Sequence, residues 1–340
     1  MSSKTKVLLT GASGYIGGAV LHEILSLGIK DIHVSALVRS ATQVKGISTL
    51  GVAAIIFRGL DDVDAIKSAA AEHDIVINCA SAMDLNACLA ILEGLAIRRK
   101  ATGRDVHLLH TSGTSNYADH PISGTPDLSI KTDESDIYGW EKANADGWIL
   151  RKVNTTLIDT GLEYGIKTYI FNPPLIYGRS SGPFNQKSLQ IPALINVSLA
   201  SQQAVVLGRG EGIWNVTHID DVAKMYGIIL KNISEHKSSP SGKEGYYFLD
   251  AGEATWKEIS EQIARTGKKH GHFKSEVVKQ VNAEELATYF IKSFPFLNAS
   301  MVEVIWGSNS RTRGERSRAW GWSPSKSLEA FRASFDDEWE

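Results

Sequence analysis

The first half of the chain alternates short β-branched and aliphatic runs with longer segments that have the apolar spacing of amphipathic helices. This alternation is typical of βαβ units, in which consecutive strands lie parallel in one sheet. The pattern predicts six strands, at residues 6–10, 33–38, 53–57, 74–79, 106–110 and 167–171. It predicts helices at residues 15–27, 63–71, 85–99 and 155–164.

The pattern becomes less regular after residue 171, where Asn172-Pro173-Pro174 and the loop at 180–183 interrupt periodic structure. Further along, residues 217–230 are typical of a strand end that runs into a helix, capped by Asp220 or Asp221, and residues 246–249 resemble another strand. Thr255 and Glu258 form a capping box that opens one more helix. We expect a second, smaller region to cover the first.

Composition and charge exclude several classes of protein. The 340 residues are 22% charged and 43% apolar, as in ordinary folded globular chains. A net charge of -2 gives no basic field for a nucleic acid, and no apolar run of about 18 residues suggests a membrane span. Cys79 and Cys88 match neither a disulfide framework nor a zinc site, which favours a reducing compartment and a cytoplasmic protein without a metal.

The segment Thr10-Gly11-Ala12-Ser13-Gly14-Tyr15-Ile16-Gly17 follows the first predicted strand and opens the first predicted helix. Gly11 permits a tight turn, Gly14 lets a pyrophosphate approach the backbone, and Gly17 allows the helix to pack closely on the sheet. The pattern therefore predicts a dinucleotide cradle. Its residues are Gly11, Ser13, Gly14, Tyr15, Ile16 and Gly17.

The end of the second strand indicates which dinucleotide is bound. Arg39 stands where an acidic residue would hold the ribose 2′-hydroxyl of NAD, and its guanidinium suits the 2′-phosphate of NADP. We predict NADP(H), with NAD less favoured. The fold class is α/β, a Rossmann-type doubly wound parallel sheet with a smaller C-terminal substrate-binding region. Residues 1–175 form the NADP-binding domain, to which 216–250 return, and residues 176–215 and 251–340 form the substrate-binding region.

Several motifs along the chain resemble the extended short-chain dehydrogenase/reductase family. They are the glycine motif, Leu37-Val38-Arg39, the run 74–80, Thr111-Ser112-Gly113, residues 173–178, Gly208-Arg209-Gly210 with 216–223, and the ending 317–324. The chain is most similar to a fungal-type branch of the NAD(P)-dependent epimerase/dehydratase group, with NmrA-like redox sensors as neighbours. The resemblance further implies cofactor contacts from Leu60, Ala80, Ser81, Pro173 and Leu175.

The resemblance implies a Ser, Tyr and Lys beside the nicotinamide. A carbonyl oxygen that gains a proton needs a positioned acid, and a tyrosine can serve when a lysine ammonium stabilises its phenolate. By resemblance, Ser112 orients the substrate oxygen, Tyr138 donates the proton, and Lys142 tunes Tyr138 and binds the cofactor ribose. Thr114 and Tyr117 lie behind Ser112 as candidate substrate contacts.

The register of the tyrosine leaves two alternatives. The separation from Tyr138 to Asn172 is longer than the family pattern, so either residues 143–150 are an insertion or Trp148 and Lys152 occupy the catalytic positions. An indole does not ionise usefully, so the second alternative implies a changed mechanism or a cofactor sensor. We favour Tyr138.

Phe184 and Trp214 fall in segments expected to cover the nicotinamide, which suits an apolar or aromatic carbonyl substrate. The sequence therefore predicts an NADPH-dependent carbonyl reductase or alcohol dehydrogenase for a small molecule. The alternatives are a nucleotide-sugar epimerase or dehydratase with tightly bound NAD, and a non-catalytic NADP(H) sensor. A homodimer is plausible by analogy, because relatives pair through helices that flank the sheet.

Overall fold

The computed structural model describes residues 4–290 and 294–339. In the first half, the elements are β1 (Thr5–Thr10), α1 (Tyr15–Ser26), β2 (Ile32–Val38), α2 (Ala41–Ser48), β3 (Ala53–Ile56), α3 (Val63–Ala71), β4 (Ile75–Asn78), α4 (Leu85–Thr102), β5 (His107–Thr111), β6 (Lys131–Thr132), α5 (Ile137–Ala143), α6 (Ile149–Tyr164) and β7 (Lys167–Asn172). The second half contains β8 (Leu175–Tyr177), α7 (Gln190–Ala200), β9 (Val205–Leu207), β10 (Ile213–His218), α8 (Ile219–Ser234), β11 (Tyr246–Phe248), β12 (Gly252–Thr255), α9 (Trp256–Lys269), β13 (Lys279–Val281), α10 (Ala283–Phe290), α11 (Ala299–Trp306), β14 (Thr312–Arg313), α12 (Glu315–Ala319) and α13 (Leu328–Ala333).

Seven parallel strands form the central sheet, in the order β11-β7-β5-β4-β1-β2-β3. Helices cover both faces, so consecutive residues of β1 are all buried: Val7 and Leu9 pack with α1 and α8, and Leu8 packs with α3, α4 and α6. The strand order reverses between β1 and β4. The predicted doubly wound sheet is confirmed, and its ligands belong at the carboxyl edge near this reversal.

A second core lies beside this edge. It is built on the sheet β12-β10-β8 and the pair β13-β9, and Trp214, Trp256 and Phe331 are buried within it. The chain then returns to the first core, where Trp322 packs with α8 and its indole donates to the Asp221 carbonyl.

The structure differs from the sequence predictions in several helices, among them three that flank the central sheet. Helix α2 was not predicted, because its short sequence has little apolar periodicity; the Ser40 side chain caps it and Ile47 anchors it. Helix α6 begins at Ile149 rather than at Thr155, because burial of Leu150 extends it through residues of modest propensity. The cap of α8 is His218, whose Nδ1 accepts the Asp220 N–H.

Within the described ranges, no helix has both the length and the apolarity needed to cross a membrane.

Candidate active site

The glycine-rich turn between β1 and α1 lies in close contact with the end of β4. Gly11 has φ +73°, and a Cβ on it would stand 2.6 Å from the carbonyl carbon of Cys79. A Cβ on Gly17 would stand 2.1 Å from the Gly11 oxygen, so neither position tolerates a side chain without movement. Helix α1 begins after Gly14 with no side-chain cap and no acidic residue in its first turn. Its positive end is therefore suited to a bound anion such as a pyrophosphate.

A cavity of about 320 Å³, here called the outer cleft, opens beside this turn. Apolar side chains from the end of β2 and from the loop after β3 form one wall, and polar groups from the glycine turn and α2 form the other. Its lining residues are Gly11, Ser13, Gly14, Leu37, Val38, Arg39, Gln43, Phe57, Leu60, Cys79, Ala80 and Asn185. An apolar wall beside a cationic and polar one suits an adenosine with its phosphates.

Arg39 lies in the outer cleft and is exposed. Among the described residues that line this cleft, none is acidic. Gln43 joins the end of β2 to the glycine turn, because its Oε1 accepts the Arg39 N–H at 2.7 Å and its Nε2 donates to Ser13 Oγ at 3.0 Å. Sequence reasoning missed Gln43, although the spacing Ser40-x-x-Gln43 is a capping-box pattern that could have identified it.

A second cavity of about 260 Å³, here called the inner cavity, lies between the two cores. Its lining residues are Tyr15, Ile16, Ser112, Gly113, Thr114, Ser115, Leu150, Pro173, Pro174, Ile176, Leu189, Gln190 and Trp214. Among these described lining residues, none carries a formal charge at neutral pH. The inner cavity therefore suits a neutral, mainly apolar molecule with one or two polar groups.

Ser112 reaches the inner cavity from the end of β5. Its N–H donates to the Phe171 carbonyl at 2.8 Å, and its side chain is almost buried. Asn116 Nδ2 stands 3.4 Å from Ser112 Oγ and 2.7 Å from Glu141 Oε1. The amide of Asn116 thus connects the candidate catalytic hydroxyl to a carboxylate on α5.

Glu141 is fully buried behind the inner cavity. Its carboxylate accepts hydrogen bonds from Asn116, from the hydroxyls of Tyr117 and Tyr246, and from Asn154. Burial raises its pKa to about 7, although these hydrogen bonds oppose the shift. Sequence reasoning did not single out Glu141, since a glutamate between Tyr138 and Lys142 carries no motif of its own.

The side chains of Tyr138 and Lys142 lie at the contact between α5 and α6, outside the lining of both cavities. The Tyr138 hydroxyl donates to Asp159 Oδ1 at 2.5 Å, and the Lys142 ammonium pairs with Asp159 Oδ2. The hydrogen bond to Asp159 raises the pKa of Tyr138 to about 12, opposite to the shift that proton donation requires. Ser112 is therefore separated from the tyrosine and lysine predicted to act with it.

One residue of the alternative pair, Trp148, contacts the lining of the inner cavity. Residues 143–150 break the helical segment into α5, a short turn and α6. Trp148 stands at the start of α6, and its Nε1 donates to Ser115 Oγ at 3.2 Å. Lys152 is exposed. The catalytic role of either pair stays a prediction.

The other predicted contacts are distributed between the cavities and the cores. Thr114, Trp214, Pro173, Tyr15 and Ile16 line the inner cavity, and Ser13, Leu60 and Ala80 line the outer cleft. Leu175 and Tyr117 are buried in cores, and the Ser81 hydroxyl accepts the N–H groups of Met83 and Asp84. Phe184 packs against α2 at Gly46.

Comparison with known proteins identifies the family. The model of the NAD dependent epimerase/dehydratase family matches residues 7–241. The chain belongs to this family. It is 28% identical over 347 residues to the oxidase ucsJ of Acremonium sp, and the match covers 94% of this chain and 92% of that relative. It is 26% identical to an uncharacterized protein of Saccharomyces cerevisiae, and this match covers 97% of this chain and 99% of that relative. These fungal relatives support the fungal branch.

The fold is shared with a dTDP-glucose 4,6-dehydratase from Bacillus anthracis solved in complex with NAD. The TM-score is 0.65 at 15% identity, over 98% of this chain and 96% of that one. As a member of the epimerase/dehydratase family, the chain is an NAD(P)-dependent enzyme of the oxidoreductase/dehydratase type. The glycine turn, the uncapped start of α1 and the outer cleft fit the nicotinamide dinucleotide that this family binds.

Proposed function

We propose that this family member is an NADP(H)-dependent carbonyl reductase or alcohol dehydrogenase acting on a small, mainly apolar compound. The observation that carries the proposal is Arg39, which shares the outer cleft with the glycine turn and has no acidic neighbour there among the described lining residues. A guanidinium at this place favours a 2′-phosphate, whereas NAD binding favours a carboxylate. We also propose a cytoplasmic location, because the two cysteines are unpaired.

The lining of the inner cavity supports the substrate class. Its walls include Leu150, Ile176 and Trp214, and its polar groups are hydroxyls and one carboxamide, with no charged side chain among the described lining residues. A diphosphate placed there would lack a cationic partner, which is costly in a partly buried site. This lining favours a neutral carbonyl compound over a nucleotide sugar.

The proposed reaction assigns a role to Ser112. The bound nicotinamide supplies the hydride to the carbonyl carbon, or accepts it in the reverse direction. Ser112 donates a hydrogen bond to the carbonyl oxygen and orients it, while Pro173 and Trp214 exclude water from the inner cavity. Tyr138 and Lys142 remain our proposed proton donor and its tuning partner; to act, the Tyr138 hydroxyl must leave Asp159 and reach the inner cavity.

Cofactor binding tests the NADP preference directly. We expect the purified chain to bind NADPH about ten-fold or more tightly than NADH by cofactor fluorescence, because Arg39 forms charge-assisted bonds to the additional phosphate. Arg39→Gln should abolish the preference by weakening NADPH binding alone. Arg58→Gln is the matched control, since Arg58 is an exposed cation after β3 that pairs with Asp62 and does not line the outer cleft.

The cofactor that stays bound through purification and the oxidation of NADPH in turnover assays distinguish the three proposed functions. Oxidation of NADPH by members of a panel of neutral aldehydes and ketones is the expected result. NAD retained through purification, with no NADPH preference, would instead favour the epimerase/dehydratase alternative. Tight NADPH binding without turnover of any panel member would favour the sensor.

A further inference from the structure

A loop between β8 and α7 lies over the glycine turn. This cover loop, residues 178–188, is held together by its own hydrogen bonds. Ser180 N–H donates to the Gln186 carbonyl at 3.0 Å, and the Gln186 amide donates to the Gly182 carbonyl at 3.0 Å. Arg179 Nε donates to Gln186 Oε1 at 2.8 Å. The cover loop is therefore expected to move as one unit about its two ends.

The cover loop contacts the proposed pyrophosphate cradle at several points. The Tyr15 hydroxyl donates to the Gly178 carbonyl at 2.6 Å, and Ser180 Oγ donates to the Tyr15 carbonyl at 2.9 Å. Asn185 lines the outer cleft, and its N–H lies 3.4 Å from the Ser13 carbonyl. Because these contacts fall on the glycine turn and the start of α1, a dinucleotide lying in the cradle would be next to the cover loop.

One carboxylate fastens both ends of the cover loop. Glu338 Oε1 accepts the Gly178 N–H at 3.2 Å, and Glu338 Oε2 accepts the Ser188 hydroxyl at 2.9 Å. Glu338 is almost buried and lies in the C-terminal 3-10 turn, Ser334–Trp339, far from the cradle in sequence. It also lines a cavity of about 360 Å³ under the cover loop, next to the outer cleft.

The C-terminal turn has anchors of its own that do not involve the cover loop. Asp336 pairs with Lys269 and His270 at the end of α9, and Phe335 is fully buried in the second core. A change at Glu338 can therefore release the cover loop while the turn stays attached.

We propose that Glu338 is a positioning residue for the cofactor: it holds the two ends of the cover loop together, keeps the loop closed beside the pyrophosphate cradle and slows release of the dinucleotide. Glu338 itself lines neither the outer cleft nor the inner cavity. The proposal rests on the binding of a nicotinamide dinucleotide by this family and does not require a preference for NADP.

Dissociation kinetics test the proposal with whichever of NADPH and NADH binds. Loss of the two hydrogen bonds that Glu338 accepts should speed dissociation about ten-fold or more in Glu338→Ala, measured in a stopped-flow chase. Glu338→Gln should remain near wild type, because its carboxamide can accept from Gly178 and donate to Ser188. Ser188→Ala removes one of the two contacts and should give an intermediate rate.

A second readout uses the chain without cofactor. Arg179 and Lys187 are exposed trypsin sites within the cover loop. Cleavage after them, followed by mass spectrometry, should be several-fold faster in Glu338→Ala than in wild type or Glu338→Gln. Asp336→Ala is the control, since it loosens the same turn from α9 without touching the cover loop.

Unchanged dissociation and unchanged cleavage in Glu338→Ala would overturn the proposal, as would an equal effect of Asp336→Ala. Binding of neither dinucleotide would contradict the proposed function, and the cleavage rates would then decide separately whether Glu338 holds the loop closed.

Discussion

At the residue scale, Glu141 holds the turn that forms one side of the inner cavity. Residues 112–115 face the cavity, whereas Asn116 and Tyr117 face Glu141. The Arg151 guanidinium adds a hydrogen bond to the Asn116 carbonyl at 2.6 Å. Because a buried carboxylate is costly unless its lone pairs are satisfied, these donors and Glu141 stabilise one another.

The raised pKa of Glu141 predicts how its contribution to stability changes with pH. A carboxyl whose pKa rises from 4.5 to about 7 on folding gives stability that is full below pH 4.5 and lost as the pH rises to 7. The shift corresponds to roughly 3 kcal/mol. The difference in unfolding free energy between wild type and Glu141→Gln should therefore be more favourable to wild type near pH 5 than near pH 8.

Urea unfolding of both proteins at the two pH values measures this difference. Glu134→Gln is the control, because Glu134 is exposed. A difference that stays constant with pH would show that Glu141 titrates as an ordinary glutamate.

At the element scale, the break between α5 and α6 decides which side chains face the inner cavity. Helix α5 directs Glu141 inward, whereas Tyr138 and Lys142 contact Asp159 on α6. A single uninterrupted helix would fix the angular relation of all these positions to Ser112. With the break, spacing along the sequence no longer determines which face reaches the cavity.

Conservative variants test the geometry of α5. With a carbonyl substrate that is turned over, we expect Ser112→Ala to lower kcat about ten-fold or more, because the oxygen loses its donor. Because Tyr138 is the proposed proton donor, Tyr138→Phe should lower kcat about a hundred-fold with unchanged Tm. A kcat within about three-fold of wild type would instead show that the hydroxyl stays on Asp159 during turnover and would contradict the proposed catalytic role.

At the scale of the whole molecule, the last part of the chain fastens the second region to the nucleotide-binding sheet. Asp221 at the start of α8 is fully buried and accepts the N–H groups of Ser325 and Lys326 and the Lys224 ammonium. Burial opposes ionisation of Asp221, but these hydrogen bonds outweigh it and lower its pKa. The segment that carries Trp322 is thereby held against the first core.

Asp221→Asn should destabilise the protein by about 2 kcal/mol at pH 7, because the buried amide loses the charge-assisted hydrogen bonds. A carboxyl with a lowered pKa gives stability that is present above its ordinary pKa and lost as the pH falls. The cost of the substitution should therefore shrink in acid, opposite to the trend for Glu141. Thermal unfolding at neutral and acidic pH checks the sign, and a cost that grows in acid would contradict it.

The sequence alone predicted the parts of the fold that follow from local patterns of residues. Strands β1, β4, β5 and β7 are largely buried on both faces, and their aliphatic, β-branched and aromatic runs predicted their positions. Gly11 and Gly17 were identifiable because a turn of left-handed conformation and a backbone contact permit no side chain there. Arg39 was found by counting from the glycine turn to the end of β2.

Local sequence patterns could not predict contacts between segments that are distant in the chain. Glu141 and Glu338 carry no motif, and the capping-box spacing around Gln43 does not indicate its contact with Ser13. The partners of these residues lie 30 (Gln43), 25 (Glu141) and 160 (Glu338) residues away in the chain. A local pattern records which face of a helix is apolar, but it does not record which polar group meets another across the core.

The amino-acid sequence by itself determined the doubly wound sheet, the family and the dinucleotide cradle, because each rests on local periodicity or on glycines that backbone geometry requires. The tertiary structure alone decided that Ser112 faces the inner cavity while Tyr138 and Lys142 meet Asp159, and that Glu338 fastens the cover loop. The physical reason is that an interrupted helix and a returning C-terminal turn set the orientation of these side chains through packing over long separations in the chain.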